Sequence, residues 1–191
     1  MGSVCAWNVR VLNWPNKQED LKIFLHSCHI GLIGMLETKV KLARVQRVAD
    51  NLFRGWHWIH NLNTGDYGRI WIAWRPHSYS VTMLTHSPQH MHCRVHCQLT
   101  SSSFYATFIY GFNHDGPRSQ LWEDLRLIAD HMDDPWCVLG DFNSVLYASY
   151  RKGGTAVLDT EIAAFADTVR ECGLHELPSS GPYYSWTNRT V

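Results

Sequence analysis

The chain has 191 residues, of which 45% are hydrophobic and 18% charged, with 17 basic against 17 acidic side chains. Such a length supports one sizeable core, and such a composition excludes a disordered chain. The balanced charge argues against a general polyanion binder, so any nucleic-acid contact must rest on a local patch or a metal.

Val4-Cys5-Ala6-Trp7 is a short apolar run that predicts a strand ending in the polar Asn8. Asn13-Trp14-Pro15-Asn16 breaks the chain, and Leu21, Phe24, Leu25 and Cys28 then recur at helical spacing. Ile30 to Leu36 predicts a buried strand exiting into Glu37-Thr38-Lys39, and Leu42, Val45, Ala49 and Leu52 mark a second helical stripe. A strand-rich block follows, with runs at Trp56 to Ile59, Gly68 to Trp74, Tyr79 to Leu84, Met91 to Leu99 and Phe104 to Tyr110. Arg118 to Met132 predicts a helix that turns Leu121, Leu125, Ile128 and Met132 inward. Trp136-Cys137-Val138-Leu139 is another short strand, followed by Gly140-Asp141-Phe142-Asn143. A helix with Ile162, Phe165, Val169 and Cys172 inward ends at Gly173, placed as a C′ cap, and Tyr183 to Thr187 predicts a last strand. Strands grouped in mid-chain with helices on either side predict sheets packed face to face with helices outside, in one domain over 1–191.

No apolar stretch approaches the ~20 residues of a membrane helix, and the N-terminus lacks the pattern of a secretory signal. No membrane association is expected, and the protein is placed inside the cell, with nucleus and cytoplasm both open. Cys5, Cys28, Cys93, Cys97, Cys137 and Cys172 are then expected as reduced, small core residues.

Strand exits carry the chemistry. Asp141 and Asn143 are two residues apart, which in an extended chain puts both side chains on one face. Polar groups released at the carboxyl end of a buried strand are where open α/β sheets place ligand sites. Gly, Asp and Asn also form turns, so these four residues alone leave a turn and a site open. Asn8, Glu37 and Tyr110 stand at three further strand exits, and together the four suggest one pocket. Glu37 could hold a hard cation such as Mg²⁺, which binds through one or two carboxylates and keeps several waters. Asp141 could orient a water for attack at phosphorus, with Asn143 and Asn8 on phosphate oxygens. The His-rich stretch His86, His90, His92, Cys93, His96, Cys97 lacks the paired spacing of a zinc site. It predicts a half-buried strand with His90, His92 and His96 on a polar outer face.

The segments Trp7-Asn8-Val9-Arg10-Val11-Leu12-Asn13, Leu36-Glu37-Thr38-Lys39, Ile109-Tyr110-Gly111 and Gly140-Asp141-Phe142-Asn143 occur in that order. Leu177-Pro178-Ser179-Ser180-Gly181-Pro182-Tyr183-Tyr184-Ser185-Trp186-Thr187-Asn188 follows them. They resemble the endonuclease/exonuclease/phosphatase superfamily, and within it the apurinic-endonuclease-like domain of plant non-LTR (LINE-type) retrotransposons. The motifs of that group are W-N-V-R-G-L-N, L-E-T-K, a central tyrosine motif, G-D-F-N and L-P-x-x-G-x-x-[YF]-T-W-x-N. The resemblance implies a four-layer α/β sandwich of two mostly antiparallel sheets with helices outside. It implies cleavage of phosphodiesters or phosphomonoesters with Mg²⁺ or Mn²⁺, and DNA as a weakly held partner. It makes Glu37 the metal ligand with Asn8 beside it. Tyr110 would contact the scissile phosphate, Asp141 would activate the water, and Asn143 would stabilise the transition state. Ser185, on the phosphate, stands where relatives have Thr.

Departures from the family pattern carry consequences. Val11 replaces a Gly, which distorts the first loop if that Gly needs positive φ. Tyr150 stands where relatives often carry an acid. The family's L-D-R-type Asp and its Ser-Asp-His motif follow the last matched segment, and the 191 residues include neither. The expectation is therefore a domain incomplete at its C-terminus, lacking the last strands and weak or inactive as a nuclease. Two other readings stay open: a non-catalytic remnant that binds nucleic acid or protein, and a small-molecule phosphatase of the same superfamily.

Overall fold

A computed structural model describes residues 2–62, 68–151, 153, 158–178 and 180. It divides into two compact units, residues 1–112 with 132–142 and residues 113–131 with 143–191.

The first unit is built on two four-stranded sheets. One has the order β1 (Ser3–Asn8), β2 (Ile30–Val40), β4 (Gly68–Trp74), β3 (His57–His60). The other has the order β5 (Tyr79–His86), β6 (His90–Cys97), β7 (Ser102–Tyr110), β8 (Trp136–Asp141). β1 runs parallel to β2 and β7 parallel to β8, and the remaining pairs are antiparallel. These are the face-to-face sheets of the expected α/β sandwich.

Alternation along β2 shows how the layers form. Leu32 and Leu36 face inward with Ile70 and Ile72 and meet Met91, Cys93, Val95, Ala106 and Phe108 of the second sheet. Ile33 and Met35 face the other way and meet Leu21 and Leu25 of α1 (Pro15–Ser27) and Val48, Ala49 and Leu52 of α2 (Val45–Leu52). A strand covered on both faces reads as one continuous apolar run. Gly34 lies on the inner face, where an added Cβ would come within 2.1 Å of the Phe108 ring. A side chain there would push the sheets apart.

Three sequence expectations need correction. Leu42 lies in a 3-10 turn and is exposed, so the second helical stripe starts at Val45 and uses Val48 in its place. Cys28 caps α1 on the surface. His90 and His92 share a face as the period of two requires, but both are buried. The His92 ring stacks on Tyr105 at 5.5 Å and meets the Trp136 ring edge-on, which covers that face with aromatic rings.

The second unit contains α3 (Asp115–Ala129) and α4 (Asp159–Glu171). Trp122 and Phe165 stack at 4.9 Å, and Arg126 pairs with Glu171. In α4 Phe165 and Thr168 are the buried residues, with Ile162 and Val169 half-buried at the margins of that stripe. Gly173 has φ 63°, its N–H bonds the Arg170 carbonyl, and Leu174 N–H bonds the Val169 carbonyl. That pair of bonds is a Schellman cap, as the Gly at C′ predicts. The predicted strand at Tyr183 to Thr187, with Ser185, lies outside the described residues. No described helix is long and apolar enough to cross a membrane.

Candidate functional site

Four strand exits of the first unit converge. Asn8 ends β1 and Asp141 ends β8, and the Asn8 amide Nδ2 donates to Asp141 Oδ2 at 2.7 Å, joining one sheet to the other. Tyr110 ends β7 in register with Asp141, and Gly111 N–H bonds the Asp141 carbonyl. Glu37 lies on β2, one residue past Leu36, whose carbonyl accepts from Val9 N–H. Both parallel pairs therefore deliver their carboxyl ends to one place, where strands of this connectivity release polar groups.

The backbone at these exits is strained. Among the described residues seven non-glycines have positive φ, and five of them follow or occupy these strand ends: Arg10, Val11, Glu37, Lys39 and Asn143. Such conformations cost about 1–3 kcal/mol each and persist where the surroundings over-determine them. On β2 the cause is a bulge. Leu36 pairs with Ile70 and Val40 with Gly68, so four residue steps oppose two. The bulge carries β2 beyond its apolar run and re-aims Glu37 and Lys39. Val11 sits at φ 68°, a conformation that favours glycine, and glycine is what the resembling motif carries at this position. Gly140 has φ 145°, and a Cβ there would come within 2.1 Å of the Ile109 carbonyl oxygen. Only glycine lets β8 lie against β7 at the point where Asp141 emerges.

Charge is concentrated here. The Glu37 side chain is only 16% exposed, with Lys39 Nζ at 2.7 Å and Arg10 Nε at 3.8 Å. Tyr110 is pushed up to about 12 by burial first, then by the Glu37 and Asp141 charges, against the opposing pull of Arg69 and Arg10. The phenol thus stays protonated at any physiological pH and can donate. Arg69 places its guanidinium over the Phe112 ring at 4.9 Å and the Tyr110 ring at 5.8 Å. Two carboxylates and an amide oxygen form a hard-oxygen donor set, which suits Mg²⁺ or Mn²⁺ better than a softer metal. No group of three His, Cys, Asp or Glu side chains stands together as a metal cluster among the described residues. A Mg²⁺ site with one or two carboxylates needs no such group.

Asn8, Glu37, Tyr110 and Asp141 are brought together as the sequence suggested. Asn143 falls in the second unit, where its carbonyl accepts from the buried Arg118 at 2.7 Å, and Arg118 also pairs with Asp115. Sequence reasoning assigned no role to Arg10, Lys39 and Arg69. Arg10 and Lys39 stand two residues beyond Asn8 and Glu37, a spacing that could have marked them. Nothing local marked Arg69, which is brought in by strand pairing.

A two-sheet α/β sandwich with a carboxylate, amide and phenol at shared strand ends defines a class built for phosphoester chemistry. The chain belongs to the Endonuclease/Exonuclease/phosphatase family, whose model matches residues 5–190. No curated protein matches the sequence. Among solved structures it is similar to the endonuclease domain of TRAS1, a telomere-specific non-LTR retrotransposon, with TM-score 0.70 and 16% identity over 93% of this chain and 75% of that one. It is also similar to the AP endonuclease LMAP from Leishmania major, with TM-score 0.71 and 13% identity over 88% of this chain and 66% of that one. The mannosyl-6-phosphatase Bt3783 of Bacteroides thetaiotaomicron shares the fold at TM-score 0.58 and 12% identity, over 87% and 70% of the two chains. At such identities the likeness establishes the fold.

Proposed function

We propose that this chain is a retrotransposon-derived, divalent-metal-dependent phosphodiesterase domain that acts on DNA, of the plant LINE-type endonuclease group. The observation that carries the reading is the Asn8–Asp141 hydrogen bond between the two sheets, beside Tyr110 and Glu37. The likeness to a non-LTR retrotransposon endonuclease supports it.

Glu37 and the Asn8 carbonyl oxygen would hold Mg²⁺ or Mn²⁺, which supplies positive charge against the charge developing on phosphorus. Asn8 fixes Asp141 by donating to Oδ2, and the Asp141 carboxylate would take a proton from the attacking water. Tyr110, held protonated, donates to a phosphate oxygen. The family resemblance alone assigns Asn143 to the transition state and Ser185 to the phosphate. Arg10 and Lys39 neutralise Glu37 and line the approach of a polyanion.

Nicking by these 191 residues is expected to be weak, because they contain no Ser-Asp-His sequence. General acid–base assistance of that kind is worth about 10²–10⁴-fold. The test is relaxation of supercoiled plasmid with Mg²⁺. The expected result is slow conversion to open circles, lost with a chelator and in Asp141→Ala. Nicking indifferent to Asp141→Ala would sink the site assignment, and fast nicking that depends on Asp141 would overturn the weak-activity reading.

A further inference from the structure

At the far ends of the same strands lies a second site. Gly2 precedes β1, Ile30 opens β2 and Arg75 follows β4, and these border a cavity of ≈ 370 Å³ completed by His26, His29, His77, Ser78 and Leu99. Ile30 and Glu37 lie seven positions apart on β2, so at ~3.3 Å per residue the cavity is roughly 20 Å from the candidate active site.

Its lining is basic and contains no carboxylate. Arg75 is fixed in place: Nε donates to the Ile30 carbonyl at 3.1 Å, and the guanidinium lies over the Trp56 ring at 5.0 Å. Its terminal nitrogens have no acceptor among the described residues. The floor is built from closely packed backbone. Arg75 N–H bonds the Gly31 carbonyl, and the Tyr79 hydroxyl donates to the Gly2 carbonyl at 2.6 Å. A Cβ on Gly2 would come within 2.6 Å of Gly31 Cα, so only glycine permits this approach. His29 occupies the left-handed region at φ 51°, which is uncommon for a non-glycine residue. A metal is a poor occupant, because no three metal-ligating side chains cluster among the described residues.

We propose that this cavity binds the phosphate group of a small ligand, with Arg75 as the charge that anchors it and His26, His29 and His77 as its walls. A pre-positioned guanidinium with free donors matches phosphate geometry, and the volume falls within the range of small-molecule sites.

The test is titration of the chain with inorganic phosphate at about pH 6, where histidine can carry charge, following the imidazole resonances by NMR. His26, His29 and His77 are expected to shift together and saturably. Leu99 is 61% exposed at the rim, so Leu99→Glu adds a carboxylate there without disturbing the core. It should weaken binding roughly tenfold or more through like-charge repulsion, and Arg75→Gln should do the same. Adenosine monophosphate binding more tightly than phosphate assigns a phosphomonoester, and equal affinity assigns free phosphate. Imidazole resonances that stay fixed up to about 10 mM phosphate, or shift identically in Leu99→Glu, overturn the proposal. Neither outcome bears on the phosphodiesterase reading, whose residues lie at the other end of the strands.

Discussion

Val11 and Gly140 bear opposite relations to their backbone. Val11 is a β-branched residue at φ 68°, and its N–H is held by the Glu37 carbonyl at 3.0 Å, so it cannot relax out of the left-handed region without losing that bond. Val11→Gly is expected to raise stability by about 1 kcal/mol, because the relieved strain exceeds the entropy glycine adds to the unfolded chain. Denaturant unfolding should show a higher midpoint at unchanged slope. Gly140→Ala should do the reverse, by about 3 kcal/mol or more, since its Cβ meets a carbonyl oxygen and its φ of 145° suits glycine alone. The sequence showed the Val11 exchange but not its conformation. The clash at Gly140 depends on β7 lying alongside, which no local pattern encodes.

At the scale of elements, β6, β7 and β8 share a polar seam on one face. Trp136 Nε1 donates to Thr107 Oγ1 at 2.7 Å, and Thr107 Oγ1 lies 2.8 Å from His92 Nδ1. The indole can only donate, which leaves the hydroxyl proton available to His92. Burial, then the neighbouring His90, lowers His92 from 6.5 to about 4. The fold therefore favours neutral His92. Its stabilisation is complete above pH 6.5, declines as the unfolded chain alone takes up the proton, and is gone once the pH has fallen through about 4. The loss amounts to about 3 kcal/mol. His92→Phe keeps the stack on Tyr105 and should flatten this acid limb, as read from unfolding free energy against pH. Strands were legible wherever an apolar run or alternation marked them, as for β4, whose ends match the reading. What escaped was structure set by neighbours. β2 extends past its apolar run because a bulge absorbs Glu37 and Lys39. His92 is buried because aromatic rings of β7 and β8 cover it, although the pattern is polar.

For the molecule as a whole, the candidate metal ligands Glu37 and Asn8 are brought together only by the folded pairing of β1 with β2, so filling the site should stabilise the folded state. Mg²⁺ at a hundred times its dissociation constant is expected to add about 2.7 kcal/mol. A thermal melt would show this as a rise in midpoint that is absent in Glu37→Gln. An equal rise in that variant would mean that the ion binds elsewhere. The sequence supplied the order of the motifs and hence the sandwich. It did not supply the strand order β1-β2-β4-β3 or β5-β6-β7-β8, because pairing partners are chosen by packing across the inner layer.

The Asn8–Asp141 bond spans 133 positions of sequence. A ribosome that has made Asn8 and Glu37 must add about a hundred further residues before Asp141 exists. Within the first unit the candidate site is thus among the last contacts to form, after long-range closure that is slow by its topology. A nascent fragment lacking β8 would lack this contact altogether, so the candidate site stays incomplete until the whole of the second sheet has been synthesised.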